Sequence, residues 1–491
     1  MVQTIDTKNR RSAGEQATAA ARGVLEGAEG RLVEMNRFAA TNQPLDLCGD
    51  RYRRTAYKLG IWNAETVSDW RGTERVQDAS FDFVDMFCGC GGMSVGFLAL
   101  NRLVPTYRLA GALDIDEHSC DTFERNLGVR PRQLDARKLL EHDGELNSFL
   151  GSCSIDKPWV LIGCPPCQGF SSHHKKNWHQ DDTRNGLIEI FADLAARMSP
   201  DFVFMENVPE LFSHKYWPHF EAFRTTLERA GYCVSAGIVN MARFGVPQER
   251  HRAIVLAGRF SSKIPFGFVS NDKFVTVREA ISHLPAIVPG AQNSIDPMLM
   301  TAHHKLSTLE TIRQIPKNGG SRPKGVGPEC LDRVRGFYDV YGRLSWDRPS
   351  ITITAYARNP ASGRFVHPEQ DRGLSVREAA ILQSFPNYYM FDGPFDSKFS
   401  QIGNAVPPRF ASFIAGYLVG ELASSIQFPL SYQGIEVSKP ITNSYSSKIA
   451  SSKMNRISNA NIKPTAVDAF CGAGGLSLGL QRAGFAVQLS Y

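Results

Sequence analysis

The sequence predicts a doubly wound α/β protein. Three observations carry this: short apolar runs alternate with helical patterns from Phe81 onward, a glycine-rich turn follows the first run, and carboxylates close the next two. The strand-like runs are FDFVDMF, YRLAGALDI, PWVLIG, FVFMENV and RAIVLAG. HSCDTFERNL, LIEIFADLAARM and HFEAFRTTLERAG read as the intervening helices.

Residues 1–80 precede that alternation and form a separate opening segment. Ala17 to Met35 is rich in Ala, Glu and Arg and is expected to be helical. Arg51 to Trp70 is expected to give two short helices around Asn63. A helical extension packed on the main domain is the preferred reading there; a helix-turn-helix for DNA is the alternative.

Val84 to Gly92 reads as a strand running into the glycine-rich turn, with Ser94 and Gly96 opening a helix. Glycines let a ligand approach the backbone, and a helix start offers free N–H groups. Leu113-Asp114-Ile115-Asp116 closes the second strand, where an acidic residue clamps ribose hydroxyls. Asp135 closes a third and is placed to accept from an adenine amino group. Singly, each carboxylate reads equally as a helix cap or solvated turn. Together they describe a nucleoside cofactor in preference to a dinucleotide, since the turn is not GxGxxG.

Trp159 to Gly163 leads into Cys164-Pro165-Pro166-Cys167-Gln168-Gly169-Phe170-Ser171. This is a core strand ending in a rigid turn that holds a thiol at the carboxyl edge of the sheet. A zinc site would need a second CxxC, and His173/His174 have the wrong spacing. A redox pair would open a helix in a small thioredoxin-like unit. A nucleophilic thiol is the reading kept, and no metal is expected.

Residues 261–345 break the alternation with Pro, Gly, His and basic residues, as an inserted small domain would. The alternation resumes weakly at Ser350-Ile-Thr-Ile-Thr, and residues 346–425 close the first domain, whose opening part is 81–260. Residues 426–464, rich in Ser, Asn and Lys, read as a flexible linker. Val467 to Gly479 then repeats the pattern of residues 84–96, while the later motifs do not recur. Residues 465–491 are therefore expected to be the truncated start of a second domain of the same kind; a remainder supplied by a separate chain and a tail packed on the first domain are the alternatives.

The chain has 491 residues, a net charge of +6 and ten cysteines at irregular spacing. That is a mild basic excess and a pattern unlike a disulfide framework. No apolar run approaches the ~20 residues of a bilayer span, and the first residues lack a signal-peptide core. The expectation is a soluble cytoplasmic protein, nucleoid-associated if bacterial, with no membrane partner.

At this point the ordered blocks resemble the cytosine-5 DNA methyltransferases across nearly all of residues 81–422. The blocks are DMFCGCGG (85–92), GCPPCQGFS (163–171), Asp182 to Leu187, Glu206-Asn207-Val208, Gln248 to Arg252, Arg348 to Thr354 and Gln401 to Pro408. The resemblance implies a Rossmann-like methyltransferase domain with a mixed, mostly parallel sheet. It implies S-adenosylmethionine as cofactor, against Phe87, Cys88, Gly89, Gly91, Gly92, Asp114, Ile115, Asp135, Pro165, Asn404 and Val406. It also implies a target-recognition region, here about 261–345, and a cytosine flipped from duplex DNA.

In that chemistry Cys167 adds to the ring, Glu206 contacts a ring nitrogen and Arg252 the cytosine carbonyl, with Arg250 and Gln248 supporting the loop. Ser171, Lys175 and Lys176 sit on a polar basic loop expected to close on DNA, and Arg322 and Lys324 lie in the basic stretch of the recognition region. The implied setting is a monomer acting on DNA, with a separately encoded restriction endonuclease as partner. An RNA cytosine methyltransferase and a non-catalytic DNA-binding regulator are the rivals; the joint presence of Cys167, Glu206 and Arg252 argues against the second.

Overall fold

The computed structural model describes residues 7–34, 51–72, 76, 78–166, 186–260, 262–265, 267–333, 339–423, 437–441, 465–468 and 486–490. They fall into two compact units, Met1–Thr442 and Asn443–Tyr491. The first unit opens with helices α1 (Thr7–Glu34) and α2 (Arg51–Thr66). α2 is one continuous helix, where the sequence had predicted two around Asn63. Asn63 is fully buried and spends its side chain on neighbouring backbone carbonyls, so it does not break the helix.

The α/β succession follows: β1 (Phe81–Met86), α3 (Gly92–Ala99), β2 (Tyr107–Asp114), α4 (Glu117–Leu127), β3 (Arg132–Gln133), α5 (Lys138–Glu141), α6 (Asp143–Cys153) and β4 (Trp159–Gly163). Then come α7 (Leu187–Met198), β5 (Phe202–Asn207), α8 (Trp217–Arg229), β6 (Cys233–Asn240) and β7 (His251–Gly258). The seven strands form one sheet in the order β3-β2-β1-β4-β5-β7-β6. β1 to β5 are parallel, and β7 runs antiparallel between β5 and β6. β1, β4 and β5 are buried along their whole length. Strands covered on both faces become continuous apolar runs, and that made them legible. β6 carries Ser235 and Gly237 on the sheet edge and has no such run, so the sequence reading missed it.

Strand order reverses between β1 and β4. Ligands of open α/β sheets collect at such a switch point, beyond the carboxyl ends of the strands. The glycine-rich turn and the Cys164-Pro165-Pro166 turn both leave the sheet there.

The region after β7 holds α9 (Val277–Ile281), α10 (Leu306–Arg313) and α11 (Cys330–Arg333). Its own small core joins Ile312, Ile315, Val340 and Tyr341 to Val366, which lies beyond the expected boundary at residue 345. The buried Arg343 explains the extension. Its guanidinium donates to the carbonyls of Ile312, Ile315, His367 and Gln370 and pairs with Asp371. Ser350 to Thr354 is not a strand, but makes a single bridge, Gln248 to Ser350. α12 (Val376–Leu382), α13 (Phe395–Asn404) and α14 (Pro408–Ala423) close the domain. α12 starts with a capping box, Ser375 with Glu378.

Part of the stretch read as linker is docked. Val437 N donates to Ala236 O at 3.0 Å and Ile441 N to Phe212 O at 2.8 Å. In the second unit β8 (Thr465–Asp468) and β9 (Ala486–Ser490) pair in parallel, with a register shift between Ala466 and Val467. β1 and β2 shift between Phe83 and Val84, and Val84 is the residue that Val467 repeats. Phe470 to Gly475 lie outside the described residues.

Candidate active site

The glycine-rich turn is shaped by its backbone. Phe87 has φ +57°, an uncommon value for a side chain of that size, and Gly89 has φ +51°. The Phe87 ring meets Phe191 edge-on at 6.1 Å. Cys88 is buried and its N–H donates to Leu113 O at 3.1 Å. Gly89 N donates to Asp114 Oδ2 at 2.7 Å, and Asp116 N donates to Asp114 Oδ1 at 2.9 Å. The Asp114 carboxylate thus fixes the turn from the end of the neighbouring strand. Burial pushes its carboxyl above the ordinary range, against the pull of those backbone donors. Ile115 beside it is 64% exposed, an apolar side chain held open at the mouth of the turn.

Gly91 and Gly92 let the turn pack tightly. A Cβ on Gly92 would lie 2.5 Å from Val406 O, so the turn and the Asn404–Pro407 segment are in backbone contact. A Cβ on Gly89 would meet nothing within 4 Å, which leaves that side open. Val406 is buried and Asn404 exposed. Asp135 lies two residues past β3, and its carboxylate accepts from the Arg137 guanidinium, with one contact of 2.6 Å. That arginine holds its carboxyl below the usual range.

The second cluster stands on β4, β5 and β7. Glu206 is 2% exposed at the end of β5. It pairs with Ile254 across the antiparallel ladder, so Arg252, two residues from Ile254, is its diagonal neighbour on the same face. Arg252 Nε lies 3.0 Å from Glu206 Oε1, at ion-pair distance but off the line of an N–H bond, while its Nη1 donates to His251 O at 2.7 Å. The thiol of Cys164 donates to Glu206 Oε2 at 3.0 Å. Asn207 Nδ2 donates to Pro165 O at 3.1 Å and ties β5 to the turn that leads into Cys167.

Gln248 and Arg250 are buried and bound to backbone. Gln248 Nε2 donates to Leu382 O at 2.8 Å, and its Oε1 accepts from Ile353 N at 3.0 Å. Arg250 donates to Ile353 O, Gly403 O and Ala405 O at 3.0–3.2 Å. These side chains hold the segment after the recognition region against the Asn404–Val406 segment. They contribute shape, and no free polar group, to the site.

Cys167, Ser171, Lys175 and Lys176 lie outside the described residues. In the recognition region Lys324 is exposed. Arg322 is turned inward: its guanidinium donates to Val326 O at 2.7 Å and Asp332 Oδ1 at 2.8 Å, and its side chain is 9% exposed. It braces its own loop. The sequence reading placed Asn207 in a motif but missed its bond to a carbonyl 42 residues away, and it missed the contact of Cys164 with Glu206.

The strand order with one antiparallel insertion, the glycine-rich turn after β1 and the acidic residue closing β2 define a Rossmann-like methyltransferase. The family model described as C-5 cytosine-specific DNA methylase matches residues 81–419. The chain belongs to that family and is a DNA cytosine-5 methyltransferase. It is 35% identical over 340 residues to the Type II methyltransferase M1.HphI of Haemophilus parahaemolyticus, covering 68% of this chain and 86% of that one. It is 34% identical over 347 residues to the Type II methylase M.HgiDII of Herpetosiphon aurantiacus, covering 68% and 93%. To the Type II methyltransferase M.Eco47II of Escherichia coli it is 30% identical over 377 residues, covering 73% and 83%.

Proposed function

We propose that the chain methylates carbon 5 of a cytosine flipped out of a specific duplex DNA sequence, with S-adenosylmethionine as donor. The observation that carries this is that the Asp114-braced glycine turn after β1 and the buried Glu206–Arg252 pair on β5 and β7 stand at the same edge of one sheet, with Cys164 between them, its N–H on Met86 O and its thiol on Glu206. The residues fit the cofactor. Asp114 offers a charged acceptor at a strand end, Gly89 leaves open space, and Ile115 presents an apolar surface. Phe87, Gly91, Gly92, Pro165, Asn404 and Val406 complete the proposed set, with Asp135 reaching the base once shared with Arg137. When bound, S-adenosylmethionine supplies an electrophilic methyl group.

Carbon 5 of cytosine is a weak nucleophile. The thiolate of Cys167 adds at carbon 6 and makes carbon 5 enamine-like. Glu206 contacts the ring nitrogen through a shared proton and stabilises charge that builds on the ring, and Arg252 donates to the cytosine carbonyl. After methylation, the carbon 5 proton passes to solvent, its electron pair re-forms the double bond to carbon 6, and the carbon 6–sulfur bond breaks to return the Cys167 thiolate. The target carbon is shut inside the duplex, so the base has to leave the stack first. Lys175, Lys176 and Ser171 are assigned to backbone phosphates and Lys324 to the recognition face. The relatives' Type II names support a modification enzyme working beside a separately encoded endonuclease.

The test uses the full chain, labelled S-adenosylmethionine and matched duplex DNA and RNA. Label should enter DNA. Cys167→Ala should bind the cofactor as the parent does and transfer nothing, whereas Cys164→Ala should be much milder. Transfer by Cys167→Ala near the parental rate overturns the covalent route, and label entering RNA alone overturns the substrate.

A further inference from the structure

We infer that Asn63, on a helix before the residues matched to the family, is a positioning residue of the cofactor site. The inference rests on the cofactor assignment above. The two backbone segments assigned to the cofactor, Gly89–Gly92 and Asn404–Val406, run directly into α3 and α14. These two helices touch through backbone: a Cβ on Gly96 would lie 2.5 Å from Ser412 N. The distance between them therefore fixes how far apart the two segments stand, and Gly92 already meets Val406 O.

Asn63 is the group that bridges them. It is fully buried, and its one amide nitrogen donates to Gly96 O of α3 at 2.9 Å and to Ser412 O of α14 at 3.0 Å. Gly96 lies in the last turn of α3, where carbonyls lack a helical partner. A buried carbonyl in that place needs a donor from elsewhere.

The rest of α2 is built to hold Asn63 in register. Its Gly60 lies against Gly416 of α14, where a Cβ on Gly416 would come 2.5 Å from Gly60 N. Arg102, just past α3, donates from Nη1 to Thr66 O and from Nη2 to Thr66 Oγ1, both at 2.8 Å. Beyond α2, Ser68 O accepts from Asn387 N at 3.1 Å, and Arg71 lies 4.4 Å from the centre of the Tyr388 ring. The next residue, Tyr389, donates its hydroxyl to Cys90 O inside the glycine-rich turn. Residues 60–71 thus reach the cofactor turn by two routes, through α3 and through Asn387–Tyr389.

The experiment is a comparison of full-length Asn63→Asp, Asn63→Ser and the parent. Asn63→Asp keeps the shape, removes both N–H bonds and sets a carboxylate against two carbonyls. Asn63→Ser keeps one short donor. Calorimetry with S-adenosylmethionine should show a dissociation constant about tenfold higher for the Asp variant, as loss of one to two buried hydrogen bonds implies, and a smaller rise for Ser. KM for the cofactor should rise with it, while kcat at saturating cofactor and KM for DNA stay within about twofold of the parent, roughly the scatter of one weak contact. A lower melting temperature with parental cofactor affinity, or a fall in kcat with KM unchanged, overturns the inference. If the Asp variant does not fold, the Ser variant carries the same test alone. Asp114→Ala runs in parallel: should it also leave affinity unchanged, the cofactor assignment itself fails, and should it alone weaken binding, only the role of Asn63 fails.

Discussion

Replacing Asp114 by Ala should separate the two tasks that its carboxylate performs. Within the protein it accepts from Gly89 N at 2.7 Å and Asp116 N at 2.9 Å. Towards the cofactor it offers the lone pairs left over. A charge-assisted hydrogen bond contributes about 1.5–3 kcal/mol, so losing the cofactor contact alone should weaken binding roughly 10- to 150-fold. Release of the Gly89 N–H loosens the turn and adds to that loss. Asn at the same position keeps the shape and one acceptor, so Asp114→Asn should fall between Ala and the parent. The proton gives a second handle. Burial raises the Asp114 carboxyl above 3.8, and binding needs its charged form. Affinity in the parent should therefore fall as pH is lowered through that raised value, earlier than for an exposed aspartate. The Asn variant should lose this acid limb. The assay is calorimetry of S-adenosylmethionine against each protein from neutral pH downward. Parental affinity in Asp114→Ala, or an unchanged acid limb in Asp114→Asn, refutes the assignment.

Other outcomes follow from the packing. Burial pushes the Glu421 carboxyl up to about 7, with Arg53 Nε 3.8 Å away opposing the shift. Its folded value exceeds the unfolded one, so the stability it contributes is complete below about 4.5 and is lost as pH rises through about 7; Glu421→Gln should melt higher than the parent at pH 8 and the same at pH 4, by calorimetry. Exchanging residues 261–345 for another enzyme's recognition region should leave a misassembled small core, because Arg343 and Val366 bind across that boundary; an exchange of 261–373 should fold and move the methylated sequence, read by bisulfite sequencing. Deleting 443–491 should leave methylation and one S-adenosylmethionine per chain, whereas deletion from 426 also removes Val437 and Ile441 from Ala236 and Phe212 and should lower the melting temperature. A loss of methylation on removing 443–491 from a protein that melts normally would mean that the second unit takes part.

The sequence by itself determined the sheet's central strands, the glycine-rich turn and the order of the family blocks. Buried parallel strands are continuous apolar runs, and a turn that touches a ligand through backbone must spell itself in glycines. Such features are written locally. Edge strand β6 was not legible, because partly exposed residues need no apolar run. The continuity of α2 was not legible either: Asn63 reads as a breaker until Gly96 O and Ser412 O, 33 and 349 residues away, are seen to hold it. Gln248, Arg250 and Arg322 carry the same lesson. A motif marks them as polar and charged residues near the chemistry, while only packing decides whether a guanidinium meets solvent or is consumed by backbone carbonyls. Arg250 and Arg322 are consumed, whereas Arg252 stands beside Glu206 because the β5–β7 register puts it there. Local pattern sets which groups are available; the long-range pairing of strands and helices sets which of them meet.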